Sequence, residues 1–138
     1  MFIIFNYIIN KFLAIVPKFI IRIFANKYIA GTNDFTAIDV IKNINKVKLK
    51  ATLDILGEHT ATEEEANAIT DHYIKLLNQI SNNNLDCNIS IKPSHIGADI
   101  NKSFLLSNLK KIHLVAINTN NFIRLDMENN KLTNTTID

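Results

Sequence analysis

Charged residues close three short β-compatible runs of this sequence. Asp54 lies in the run 48–56, with Glu58 just beyond it; Lys92 ends the run 88–92; Asp126, followed by Glu128, lies at the end of 122–127. A strand interior is apolar, so a charge at its end must be paired, solvated or functional. A lysine beside carboxylates can receive the carboxylate of a small substrate in a fixed orientation. A lysine desolvated in such a place can instead act as a nucleophile toward a carbonyl and form a Schiff base. A plain lysine–aspartate ion pair explains the same residues equally well.

Alternate residues of a strand share a face. In the second run Asn88, Ser90 and Lys92 point one way and Ile89 and Ile91 the other. In the third, Arg124 and Asp126 point one way, and Ile123, Leu125 and Met127 the other. With the isoleucines turned toward covering helices, Lys92 and Asp126 face the same mouth on neighbouring strands, roughly 5 Å apart.

Helices must hold those strands. Phe35, Ile38, Ile41 and Ile44 recur at helical spacing and predict a helix over 34–45. Thr62-Glu63-Glu64-Glu65 has the form of a capping box, and its acidic residues suit the positive end of a helix dipole. The helix it opens runs to about Ser81, with Ala66, Ile69, Tyr73, Leu76, Leu77 and Ile80 as the buried stripe. Residues 93–100 read as a loop and 102–118 as a further helix with Leu105, Leu109, Ile112 and Ala116 on one side. Strands alternating with long helices predict an α/β architecture of parallel strands in sequential order. Sequential order is that of a (β/α) barrel, and no G-x-G-x-x-G follows the first strand to argue for a doubly wound dinucleotide fold.

Composition narrows the function. The chain has 138 residues and a formal charge of +2, with scattered lysines and no basic stripe, which argues against a nucleic-acid partner. A complete eight-stranded barrel needs roughly 200–250 residues. One cysteine, Cys87, allows no internal disulfide, so a reducing, cytoplasmic setting is expected. His59, His72, His95 and His113 show no metal-binding spacing, and no metal is expected. Residues 1–30 are rich in Ile and Phe but interrupted by Asn6, Asn10, Lys11, Pro17, Lys18 and Arg22. They read as an amino-terminal helical segment divided near Pro17, packing on the domain or docking peripherally on the inner face of a membrane. Residues 31–138 form the second part of the chain, without internal repeats or a linker.

Several stretches, in order, resemble the monofunctional bacterial proline dehydrogenases: Tyr28-Ile29-Ala30-Gly31, Thr52-Leu53-Asp54-Ile55-Leu56-Gly57-Glu58, Ser90-Ile91-Lys92 with Gly97, and Ile123-Arg124-Leu125-Asp126-Met127-Glu128. The likeness runs from about Phe24 onward, and the TLD-x-LGE and R-x-DME stretches with a strand lysine between them carry most of it. It implies the first three strand–helix units of a distorted (β/α)8 barrel that holds FAD and oxidises L-proline to Δ1-pyrroline-5-carboxylate, passing electrons to a quinone or another acceptor. In this likeness Lys92 is the substrate-binding lysine, Asp126 the catalytic-site acid and Met127 a flavin contact. Asp54 and Glu58 are expected to support the mouth. The sequence departs from the family at Asn129-Asn130, where Asp-Ser is common. Neither Arg22 nor Arg124 matches the family's late arginine pair that clamps the proline carboxylate. The expectation is therefore the amino-terminal part of such an enzyme, inactive alone. The alternatives are a non-catalytic remnant and a different (β/α) enzyme using Lys92 as a Schiff-base nucleophile.

Overall fold

The computed structural model describes Pro17 and residues 29–137. The helical segment expected over 1–30 falls, except for Pro17, Ile29 and Ala30, outside the described residues. The chain divides into two units, residues 1–37 and 38–138, and the sheet and its covering helices belong to the second.

Helix α1 spans Asp34–Lys46 and opens where the Asn33 side-chain carbonyl accepts the Thr36 amide at 3.0 Å. Strand β1 is Ala51–Asp54. Helix α2, Glu63–Asn82, begins at Thr62, whose hydroxyl accepts the Glu65 amide. The Glu65 carboxylate reaches back to the Ala61 amide at 3.0 Å rather than to Thr62, so the box closes one residue earlier than the motif implies. The buried stripe of α2 includes Thr70, while Ile69 is only partly covered. Thr70 tolerates burial because its hydroxyl donates to Ala66 O at 2.8 Å.

Strand β2 is Cys87–Ile91, followed by a 3-10 turn over Pro93–Ile96. The proline sets φ for that turn, and the His95 amide closes it on Lys92 O at 2.9 Å. Helix α3, Lys102–Asn118, is capped by the Asn101 side chain, which accepts the Phe104 amide at 2.8 Å. Strand β3, Ile123–Leu125, and the short helix α4, Thr133–Ile137, complete the described chain.

The three strands form one parallel sheet in the order β1-β2-β3. Asp54 stands beside Ser90, and Ser90 beside Arg124. Beyond β3, the Asp126 amide still donates to Ile91 O at 2.9 Å, which carries the pairing one residue further. Ile89, Ile91, Ile96, Tyr73, Leu77 and Ile112 are fully buried and form the centre of the core, with Leu53 and Ile123 packed against it. The expected split of faces holds for the isoleucines, which turn to the core, and for the polar residues of β2 and β3, which meet on the opposite face, where Arg124 donates to Asn88 at 3.0 Å. It fails at Leu125 and Met127, which were expected on the core side and are exposed, because pairing ends at the carboxyl end of β3.

Two strands are shorter than their sequences imply. The run 48–56 pairs only over Ala51–Asp54, because Lys48 adopts a left-handed backbone (φ 62°) before it and Leu56 is left exposed after it. The run 122–127 forms a strand only over Ile123–Leu125, extended by the single Asp126 bond, and has one neighbouring strand among the described residues.

Candidate functional site

Parallel register brings the carboxyl ends of β1, β2 and β3 to one edge of the sheet. There Lys92 Nζ donates to Asp54 Oδ2 at 2.6 Å and lies 3.6 Å from Asp126 Oδ2. Asp54 and Ser90 are register partners, so Asp54 projects on the same face as Ser90 and Lys92. Lys92 is therefore held mainly by Asp54, and its expected partner Asp126 is the looser of the two. The Asp54 hydrogen bond, helped by the charges of Asp54 and Asp126, raises the Lys92 pKa against the effect of partial burial. The ammonium is thus secured in its charged form.

Each carboxylate has a second partner. The fully buried Tyr73 of α2 donates its hydroxyl to Asp54 Oδ1 at 3.1 Å. Its phenol is pushed well above its usual range, first by burial and then by the Asp54 charge, so it stays a donor. The Ser90 hydroxyl donates to Asp126 Oδ1. Glu128 takes both the Ser94 hydroxyl, at 2.6 Å, and the Ser94 amide, at 2.8 Å.

Two histidines stand at the same edge. His59 has a left-handed backbone (φ 56°) and sets Nδ1 2.7 Å from Asp99 Oδ2; that hydrogen bond is the main cause of its raised pKa. His95 is buried against Gly57, with no hydrogen-bond partner for Nδ1 among the described residues, and burial lowers its pKa. Among the described residues no cluster of ligating side chains could hold a metal ion.

An open cleft of about 570 Å³ lies over the strand ends. Lys92, Asp126 and Met127, the three residues singled out from the sequence, all line it, together with Glu58, His59 and Leu125. Met127 is 56% exposed and so belongs to the cleft surface rather than to the core. Asp54 was expected only as a support of the mouth, and its direct contact with Lys92 is the addition. Two contributors were not anticipated. Ser90 shares the parity of Lys92, which is compatible with its place here. Ser94 has no signal in the sequence, since its partners come from other strand ends.

The family model for proline dehydrogenase matches residues 37–138. This chain belongs to the proline dehydrogenase family. It is 34% identical over 107 residues to proline dehydrogenase 1 of Bacillus subtilis subsp. natto, covering 78% of this chain and 35% of that protein. It is 30% identical over 117 residues to proline dehydrogenase 2 of the same organism, covering 85% of this chain and 38% of that protein. The chain thus spans a little over a third of the length of the curated family members it matches. A crystal structure of proline utilization A (PutA) from Bdellovibrio bacteriovorus, inactivated by N-propargylglycine, superposes with a TM-score of 0.71 at 23% identity, covering 79% of this chain and 14% of that one. That likeness concerns the fold: a parallel sheet with its helices, in the arrangement found within that larger protein.

Proposed function

We propose that this chain forms the proline-binding side of a proline dehydrogenase, as the opening units of a (β/α)8 barrel. The observation that carries the reading is the Lys92 ammonium, fixed and kept charged at the strand ends by Asp54 and Asp126 in a chain of this family. A held cation in an open cleft suits the carboxylate of a small amino acid. Asp126, tied to Ser90 and near Lys92, balances that charge and limits where the ammonium can move.

The cleft fits part of an FAD. Met127 and Leu125 offer exposed apolar surface beside Lys92, suited to an edge of the ring system. The diphosphate does not fit there: Glu58, Asp126 and Glu128 surround the cleft, and its lysine is already engaged. The phosphates would need groups beyond this cleft. When bound, the flavin would accept the hydride equivalent released from the ring CH2 carbon beside the proline nitrogen while the nitrogen gives up a proton to solvent, leaving Δ1-pyrroline-5-carboxylate. A quinone or similar acceptor would then take the electrons. Among the described residues no helix is long and apolar enough to cross a membrane.

A Schiff-base enzyme needs the opposite electrostatics at Lys92. A nucleophilic lysine requires a lowered pKa, and here the Asp54 hydrogen bond raises it. The test is anaerobic addition of L-proline to the intact flavin-loaded protein. Bleaching of the flavin absorbance is expected. A loaded flavin that stays oxidised at saturating proline would contradict the reading.

A further inference from the structure

The residue that begins the 3-10 turn Pro93–Ile96 is Lys92, and its side chain makes no capping bond. A lysine carries only donors and cannot cap a helical start. Pro93 has no amide hydrogen, so the first amide left to satisfy is that of Ser94. Glu128, from beyond β3, supplies the missing acceptor: Oε2 takes the Ser94 amide at 2.8 Å and Oε1 the Ser94 hydroxyl at 2.6 Å. The other polar atoms of Ser94 are bound to the loop after β1. Its hydroxyl oxygen accepts the His59 amide at 3.2 Å, and its carbonyl accepts the Thr60 amide at 3.2 Å and the Thr60 hydroxyl at 3.1 Å. Ser94 has no exposed surface, so water reaches these bonds only from the side of its partners.

Every polar atom of this one serine therefore ties the end of β2 to the ends of β1 and β3. Ser94 lies two residues after Lys92, and Glu128 two residues after Asp126. Asp126 is itself bonded to Ser90 and to Ile91 O on β2, so the contact exposed to a shift between those two segments is the long one, 3.6 Å, from Lys92 Nζ to Asp126. Asp54 would not hold the distance, because it grips Lys92 from the other side, on β1.

We propose that Ser94 and Glu128 are positioning residues: Glu128 caps, from the third strand, the turn that starts at Lys92, and so holds the lysine in register with Asp126. The inference rests on the reading of Lys92 and Asp126 as the polar pair of the proline site.

The test is competitive acetylation of the intact protein at mildly alkaline pH, with the Lys92 peptide quantified by mass spectrometry against the other lysines. Ser94→Ala changes no charge, and a Glu128 carboxylate released toward Lys92 would lower its labelling, so a rise is positional. The expected result is a rise in Lys92 labelling of about threefold or more, as Asp126 stops holding the proton on the amine. The rise should vanish when Ser94→Ala is made in an Asp126→Asn background, because the route through Asp126 is then already gone. Glu128→Gln, which cannot accept both Ser94 hydrogens as a carboxylate does, is read in the same way if Ser94→Ala does not fold. Unchanged Lys92 labelling in a folded variant, an equal rise in the Asp126→Asn background, or failure of both variants to fold would overturn the proposal and leave Ser94 a plain structural residue. Failure of the proline dehydrogenase reading would show separately, as an unaltered flavin-loaded protein that proline does not reduce.

Discussion

Lys92 and Asp54 join neighbouring strands through a 2.6 Å contact, and the other oxygen of the same carboxylate accepts the hydroxyl of the buried Tyr73. Asp54 thus connects the cation of the cleft to helix α2 in the core. Asp54→Ala would leave the Tyr73 hydroxyl buried without that acceptor and should cost about 1–3 kcal/mol, whereas Tyr73→Phe removes the donor as well and should cost about 1 kcal/mol. Denaturant unfolding of the two variants measures the difference. Equal losses would mean that Asp54 does not serve the tyrosine.

The two histidines at the mouth should titrate in opposite directions. His59 is raised by its hydrogen bond to Asp99, so its midpoint in an NMR titration should lie above 6.5. The stability it contributes is fully present below that value and is lost as pH rises through the raised folded midpoint. His95 is lowered by burial, so its midpoint should lie below 6.5. Its contribution is present above 6.5 and is lost as pH falls through the depressed folded midpoint. Burial is the largest cause and the Lys92 charge adds to it, while Asp54, Glu128 and Glu58 oppose it and are outweighed. Asp99→Asn should lower the His59 midpoint and leave His95 in place. Parallel movement of both would contradict separate environments.

Gly57 should not accept a side chain. Its φ is 149°, and a Cβ there would stand 2.6 Å from His95 Nε2. Gly57→Ala should destabilise the protein by about 1–3 kcal/mol from the backbone conformation, with the collision in addition. Adding His95→Ala removes the collision and leaves the conformational part, so the double variant should lose less than the sum of the two single ones. Additive losses in denaturant melts would show that the ring yields freely.

Much of this arrangement was legible from residue patterns. The limits of α3 follow from its apolar spacing, and the start of α2 from Thr62 and Glu65. Alternation along β2 and β3 was enough to set Lys92 and Asp126 on one face. The less legible features depend on contacts between distant segments. β1 and β3 pair over fewer residues than their β-compatible runs, because pairing length is set by neighbours. The nearest carboxylate to Lys92 proved to be Asp54, since either flanking aspartate satisfies the same parity and only register and reach decide between them. Ser94 is a small neutral residue whose partners lie 34 or 35 positions away, so no local pattern marks it.

In the proposed function Lys92 receives the proline carboxylate. The most direct measurement is proline titration of the intact flavin-loaded protein and its Lys92→Ala variant, followed by flavin absorbance under anaerobic conditions. The variant should keep its flavin and need about 10- to 100-fold more proline for half-maximal reduction, the loss of a charge-assisted contact worth about 1.5–3 kcal/mol. Flavin retained with unchanged proline dependence would contradict the claim and reduce Lys92 to the ion pair that its neighbours could explain alone.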